Sequence, residues 1–161
     1  MQPTTTHREI LSGIIEQELA AAEFMHKLLS HEYEALTDGD PDKIKSISAE
    51  KIQQLRLVEQ LLAKRNGLLR ELGLATDSSG VDRAISAMGS DSELQAKWDR
   101  LRSVSIKLQK QNDINGGIIT IGQRRVKQAL DILSGKENLT GTYSQEGETT
   151  FSKSNNLHTK A

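Results

Sequence analysis

The chain has no cysteine, which excludes a disulfide framework, a thiolate metal site and a thiol nucleophile together. It has only two prolines and 3% aromatic residues among its 161 positions. Strands draw on aromatic and β-branched side chains, so this scarcity beside abundant Leu, Ala, Glu, Lys and Gln predicts an all-α protein. No run approaches the ~20 apolar residues of a membrane span. The opening MQPTTTHREI lacks a basic start followed by an apolar stretch, so a cytoplasmic protein is expected. A net charge of −1 gives no reason to expect nucleic acid or an anionic membrane as a partner.

What is present is helical periodicity. Between Thr5 and Leu36, the residues Leu11, Ile15, Ala22, Met25, Leu29 and Leu36 recur at three-and-four spacing, interrupted by Glu18 and Glu32, and define one apolar helix face. In the following TDGDPDK, Asp40 suits an N-cap and Pro41 a first helical position; so short a link makes the flanking helices antiparallel neighbours. The second helix, Pro41 to Leu72, presents Ile44, Ile47, Leu55, Val58, Leu62, Leu69 and Leu72. Gly73 stops it, and Leu74 can fold back on Leu69. Residues 75–91 read as a connector holding a helix of one or two turns through Val81, Ile85 and Met88. Ser90 and Glu93 have the spacing of a capping box for a third long helix. On it Leu94, Trp98, Leu101, Ser105, Leu108, Asn112, Asn115, Ile119, Gly122, Val126, Ala129 and Leu133 keep an unbroken four-three alternation.

The predicted architecture is an antiparallel helical hairpin plus a long third helix, a three-helix bundle or coiled coil, over residues 1–135. A flexible tail, residues 136–161, follows, too polar to order itself but carrying four separated anchors, Leu139, Tyr143, Phe151 and Leu157. Charge agrees with a bundle: residues 1–38 hold seven acids against two bases, whereas the two later helical stretches are mildly basic.

Catalytic and metal chemistry find no support. Glu23 and His26 have the Glu-x-x-His spacing of di-iron bundles, but that site needs a second such pair and two further acids. No other histidine has Glu three residues before it. NGGIITIG follows a helix and lacks the Gly-Lys-Ser/Thr ending of a phosphate loop. No enzyme and no cofactor are expected.

The informative stretch is KQNDINGGIITIGQ, residues 110–123. Gly116 and Gly117 cost a helix interior roughly 2 kcal/mol, while a buried Asn112 or Asn115 at the seam fixes register at some cost in stability. At 1.5 Å per residue the third helix is roughly 64 Å long against about 48 Å for each hairpin helix. Cover should run out near Arg124, leaving Val126, Ala129, Leu130 and Leu133 as an apolar stripe for a partner. Together with Ile118, Ile119 and the tail anchors these are the candidate partner-binding residues. Gly116 and Gly117 are the candidate pivot. The rival reading is a coiled-coil scaffold or adaptor that self-associates through the third helix.

With QNDINGG on the third helix, then LDILSG and TYSQEG before a polar tail, the whole chain resembles the FlgN family of flagellar export chaperones. Asn112, Asn115, Gly116, the LDIL ending at Leu133, and Tyr143 followed by Gly147 carry the likeness. The resemblance implies binding of the hook-filament junction (hook-associated) proteins in the cytoplasm. Their terminal helices would be kept soluble and unpolymerised until delivery to the flagellar type III export apparatus. It places cargo binding in the C-terminal region and implies that Tyr143 docks on the export gate, although Ser144 stands where the family often has Gly.

Overall fold

A computed structural model describes residues 3–90 and 92–133. Every regular element among them is helical: α1 (Thr5–Asp38), α2 (Pro41–Glu71), α3 (Ser78–Ala87) and α4 (Ser92–Leu133). The chain divides into two units, Met1–Gln123 and Arg124–Ala161. The first holds α1 to α3 and most of α4.

The helix ends follow from local chemistry. Thr4 caps α1 by accepting the His7 N–H, and His7 Nδ1 accepts the Thr4 N–H at 3.0 Å, so a histidine completes the reciprocal box. Gly39 ends α1 in the left-handed region at φ 67°. Asp40 Oδ1 then accepts the Lys43 N–H at 3.1 Å ahead of Pro41, the expected cap and first helical residue. That backbone hydrogen bond holds the Asp40 carboxyl below its ordinary pKa. Gly73 closes α2 at φ 70°, and the Leu74 N–H reaches Leu69 O at 2.8 Å, the Schellman closure expected there.

The connector helix α3 is longer than one or two turns, with ten residues. Asp77 caps it through the Gly80 N–H at 3.0 Å. Gly80 has a steric reason to lack a side chain: a Cβ would lie 1.8 Å from the Ala75 carbonyl oxygen. Ser90, expected to cap α4, instead closes α3: its φ is 53° and its N–H meets Ile85 O. Glu93 pairs with Lys97 one turn on, at 3.2 Å, and raises the Lys97 pKa.

The core of the first unit lies around α3. Val81, Ala84 and Ile85 of α3 meet Leu11 and Ile15 of α1, Leu68, Leu69 and Leu72 at the end of α2, and Leu94, Trp98 and Leu101 of α4. Each Val, Leu or Ile side chain buried there contributes roughly 1.5–3 kcal/mol. The periodic faces are only partly the covered ones. On α1 the expected stripe is joined by a second, Ile14, Ala21, Leu28 and Ala35, because this helix is flanked on two sides. On α2, Leu61 and Leu68 are buried while Leu55 and Leu62 are 50% and 39% exposed. Adjacent positions on a helix are 100° apart, and a small rotation exchanges which of two neighbouring leucines is covered.

Candidate functional site

Two polar layers cross the apolar interior of the first unit. Glu18 accepts Arg65 Nη1 at 2.8 Å, and the Arg65 guanidinium lies over the Trp98 ring at 5.2 Å, joining α1, α2 and α4. Arg102 covers the same ring at 5.5 Å, and Trp98 Nε1 donates to Asp82 Oδ1 of α3 at 2.9 Å. Burial pushes the Glu18 carboxyl above its ordinary pKa, against the opposing effect of Arg65. The second layer is built on Glu32, which takes Lys51 Nζ at 2.9 and 3.1 Å. Asn115 Nδ2 donates to Glu32 Oε2 and to Leu29 O, both at 2.8 Å, and its Oδ1 accepts Gln111 Nε2 at 2.9 Å.

These pairs define directions. Residue numbers rise along α1 from Glu18 to Glu32 while they fall along α2 from Arg65 to Lys51, so the two helices run oppositely. They rise along α4 from Trp98 to Asn115, parallel to α1. The layers are two heptads apart on α1 and on α2. The charged residues that break the apolar pattern at Glu18 and Glu32 are therefore its cross-links.

Between the layers an open groove of about 830 Å³ remains. Its floor is Ala22, Met25 and Leu29 of α1; its walls are Leu55, Val58 and Leu62 of α2 and Leu101, Ser105, Ile106 and Leu108 of α4. Lys51 and Asn112 stand at one end, Arg65, Trp98 and Arg102 at the other. The periodicity points to these walls, Ile106 apart, as core. That they line an open groove depends on how far α2 stands from α4, which no local pattern encodes.

Asn115 is buried at 1% exposure, whereas Asn112 is exposed; the polar layer thus holds one of the two asparagines, and Gln111 is the second amide in it. Ile118 is half-buried, and every residue from Ile119 to Leu130, Ala129 included, is exposed. Cover therefore stops at Ile118 and not near Arg124. The reason is register: pairing Asn115 with Glu32 leaves α1 six more residues, which end level with Ile121. Within the second unit Val126, Leu130 and Leu133 are 61%, 59% and 83% exposed, and Ile132, which the seam pattern omitted, is exposed too. Gly116 and Gly117 are helical and exposed, with open space where a Cβ would stand. Leu139, Tyr143, Phe151 and Leu157 lie outside the described residues. Glu23 pairs with Arg100 of α4, and no group of three or more potential metal ligands occurs among the described residues.

Among the described residues the chain is all-helical, with a charged-layer interior and uncovered aliphatic helix faces, a surface suited to packing against a further helix. The model of the FlgN family, described as FlgN protein, matches residues 1–150; the chain belongs to this family of flagellar type III export chaperones. No curated protein and no solved structure matches the chain. No helix among the described residues is long and apolar enough to cross a membrane.

Proposed function

We propose that this chain is a cytoplasmic flagellar export chaperone that binds the hook-filament junction proteins, keeps their terminal helices soluble and unpolymerised, and delivers them to the export apparatus. The supporting architecture is an antiparallel hairpin, α1 and α2, with the long helix α4 alongside. The observation that carries the reading is the exposed aliphatic stripe Val126, Leu130 and Leu133 on α4 in a chain matched by the FlgN model. Three large aliphatic side chains repeating at helical spacing and left in water are the surface that an amphipathic cargo helix covers. Ile118, Ile119 and Ala129 extend it, and Leu139, Phe151 and Leu157 add anchors beyond the helix. Tyr143 docks on the export gate. Gly116 and Gly117 serve as the pivot at which the binding segment adjusts to its cargo.

The test is co-purification of the full chain with a junction protein, compared with the variants Val126→Asp, Leu130→Asp and Leu133→Asp. Each site is exposed, so helicity by circular dichroism should be unchanged while retention of cargo falls about tenfold or more. Undiminished retention by all three sinks the assigned surface. A constitutive dimer by light scattering that ignores junction proteins supports the scaffold reading instead.

A further inference from the structure

We infer that the stripe at the end of α4 selects an acidic cargo helix, one whose apolar face is flanked on both sides by Asp or Glu, and that Arg125 and Lys127 are the residues that select it. The identity of the cargo rests on the chaperone reading; what is added is the chemistry by which this surface recognises it. Residues 124–133, RRVKQALDIL, hold three cations, Arg124, Arg125 and Lys127, against one acid, Asp131. Val126, Leu130 and Leu133 fall within about 60° of the helix circumference, the width of a seam for one further helix. Arg125 and Lys127 adjoin Val126 in sequence and so stand about 100° from it, on opposite sides of the helix. Cations beside an apolar seam occupy the place from which charged side chains choose a partner helix in coiled coils.

Nothing among the described residues accounts for these cations. Ion pairs on one helix join residues three or four apart, and neither Arg124 nor Arg125 has an acid at either distance in either direction. Arg124 and Lys127, three apart, repel each other instead. The helix dipole gives no reason for them, because its effect is confined to the last turn and the last turn of α4 carries no base. No salt bridge joins Arg124, Arg125 or Lys127 to another described residue, and all three are exposed. Charges held in water beside exposed aliphatic side chains are what complementary carboxylates on a docked helix satisfy, through an attraction that also speeds encounter. A lipid surface is the poorer fit. An interfacial helix draws on Trp and Phe for its apolar face, and residues 124–133 contain no aromatic side chain.

The test uses the full chain and an intact junction protein, with association and dissociation followed at about 0.1 M and about 1 M salt, where screening acts over roughly 10 Å and roughly 3 Å. The double variant Arg125→Gln/Lys127→Gln should lose about tenfold in affinity at the lower concentration, mostly in association rate, and much less at the higher. Arg125→Lys/Lys127→Arg keeps both charges and should bind like the unaltered chain. Arg124→Gln, on the far side of the helix from Val126, should change affinity by less than about twofold. A carbodiimide, which joins an amine to a carboxylate only at contact distance, should link Lys127 Nζ to Asp or Glu of the junction protein in the complex. A double variant that binds as tightly as the unaltered chain, while Leu130→Asp does not, overturns the charge selection and leaves the chaperone reading standing. A loss that is equal at both salt concentrations overturns it too, as do adducts that join Lys127 only to carboxylates of this chain, in the same or a second copy. Capture of phosphatidylglycerol vesicles that the double variant loses, while it keeps its cargo affinity, overturns it in favour of a lipid surface. Failure of the unaltered chain to bind any junction protein overturns both readings.

Discussion

Replacing Asn115 by Ala removes the α4 side chain that donates to Glu32 in the second polar layer. Its amide donates to a charged carboxylate oxygen and to a main-chain carbonyl, both at 2.8 Å, in a site with 1% exposure. A buried hydrogen bond to a charged group is worth about 1.5–3 kcal/mol and a neutral one about 1 kcal/mol. Glu32 keeps Lys51, which limits the damage, and the expected loss is about 2–4 kcal/mol. With a urea dependence of ~2 kcal/mol/M, the unfolding midpoint falls by roughly 1–2 M. The single tryptophan, Trp98, is buried between two guanidinium groups in the same unit, and its emission reports the transition without a label. Asn112→Ala is the internal control: that side chain is exposed, so its removal should cost less than about 0.5 kcal/mol. A double-mutant cycle of Asn115→Ala with Glu32→Gln should give a coupling of about 1–2 kcal/mol. Equal effects of the two asparagines, or a coupling near zero, would falsify the assignment of Asn115 as a buried link between α1 and α4.

Three further outcomes follow from the same geometry. Gly80→Ala sets a methyl group 1.8 Å from the Ala75 carbonyl oxygen. The backbone at the start of α3 must shift, and thermal unfolding should show a loss of about 2–3 kcal/mol. Gly116→Ala and Gly117→Ala meet open space in a helix and should each stabilise the chain by about 0.5–1 kcal/mol; a pivot requires that the double variant also bind cargo more weakly, and unchanged cargo affinity removes the pivot. For Glu18, burial raises the folded-state pKa above the ordinary value of 4.5, so the folded chain holds this proton more tightly than the unfolded chain. The carboxyl's contribution is therefore most favourable below that value and declines as pH rises through and above it. The unfolding free energy of the unaltered chain minus that of Glu18→Gln should fall as pH increases from 4.5 toward neutrality; a rising difference contradicts the sign.

The local features are legible along the chain. Asp40, Pro41, Gly39 and Gly73 place helix ends through hydrogen bonds within a few residues, and the apolar period places the helices between them; these forces act along the chain and are legible in it. The interruptions at Glu18 and Glu32 were visible as well, since a carboxylate on an apolar face requires a partner. The partners themselves, Arg65 and Lys51, follow from the packing of helices against one another, each provided by a helix that the pattern could not align. That packing likewise decided that Asn115 and not Asn112 is buried, and that Leu61 is covered where Leu62 is not. These choices depend on rotations of less than one residue and on the offset between helices, set by the summed packing around Leu11, Ile85 and Trp98. The groove has the same origin: Leu55, Val58 and Leu62, which the periodicity marks as core, line an open space instead, because the spacing between helices is set by tertiary packing and not by the pattern along one of them.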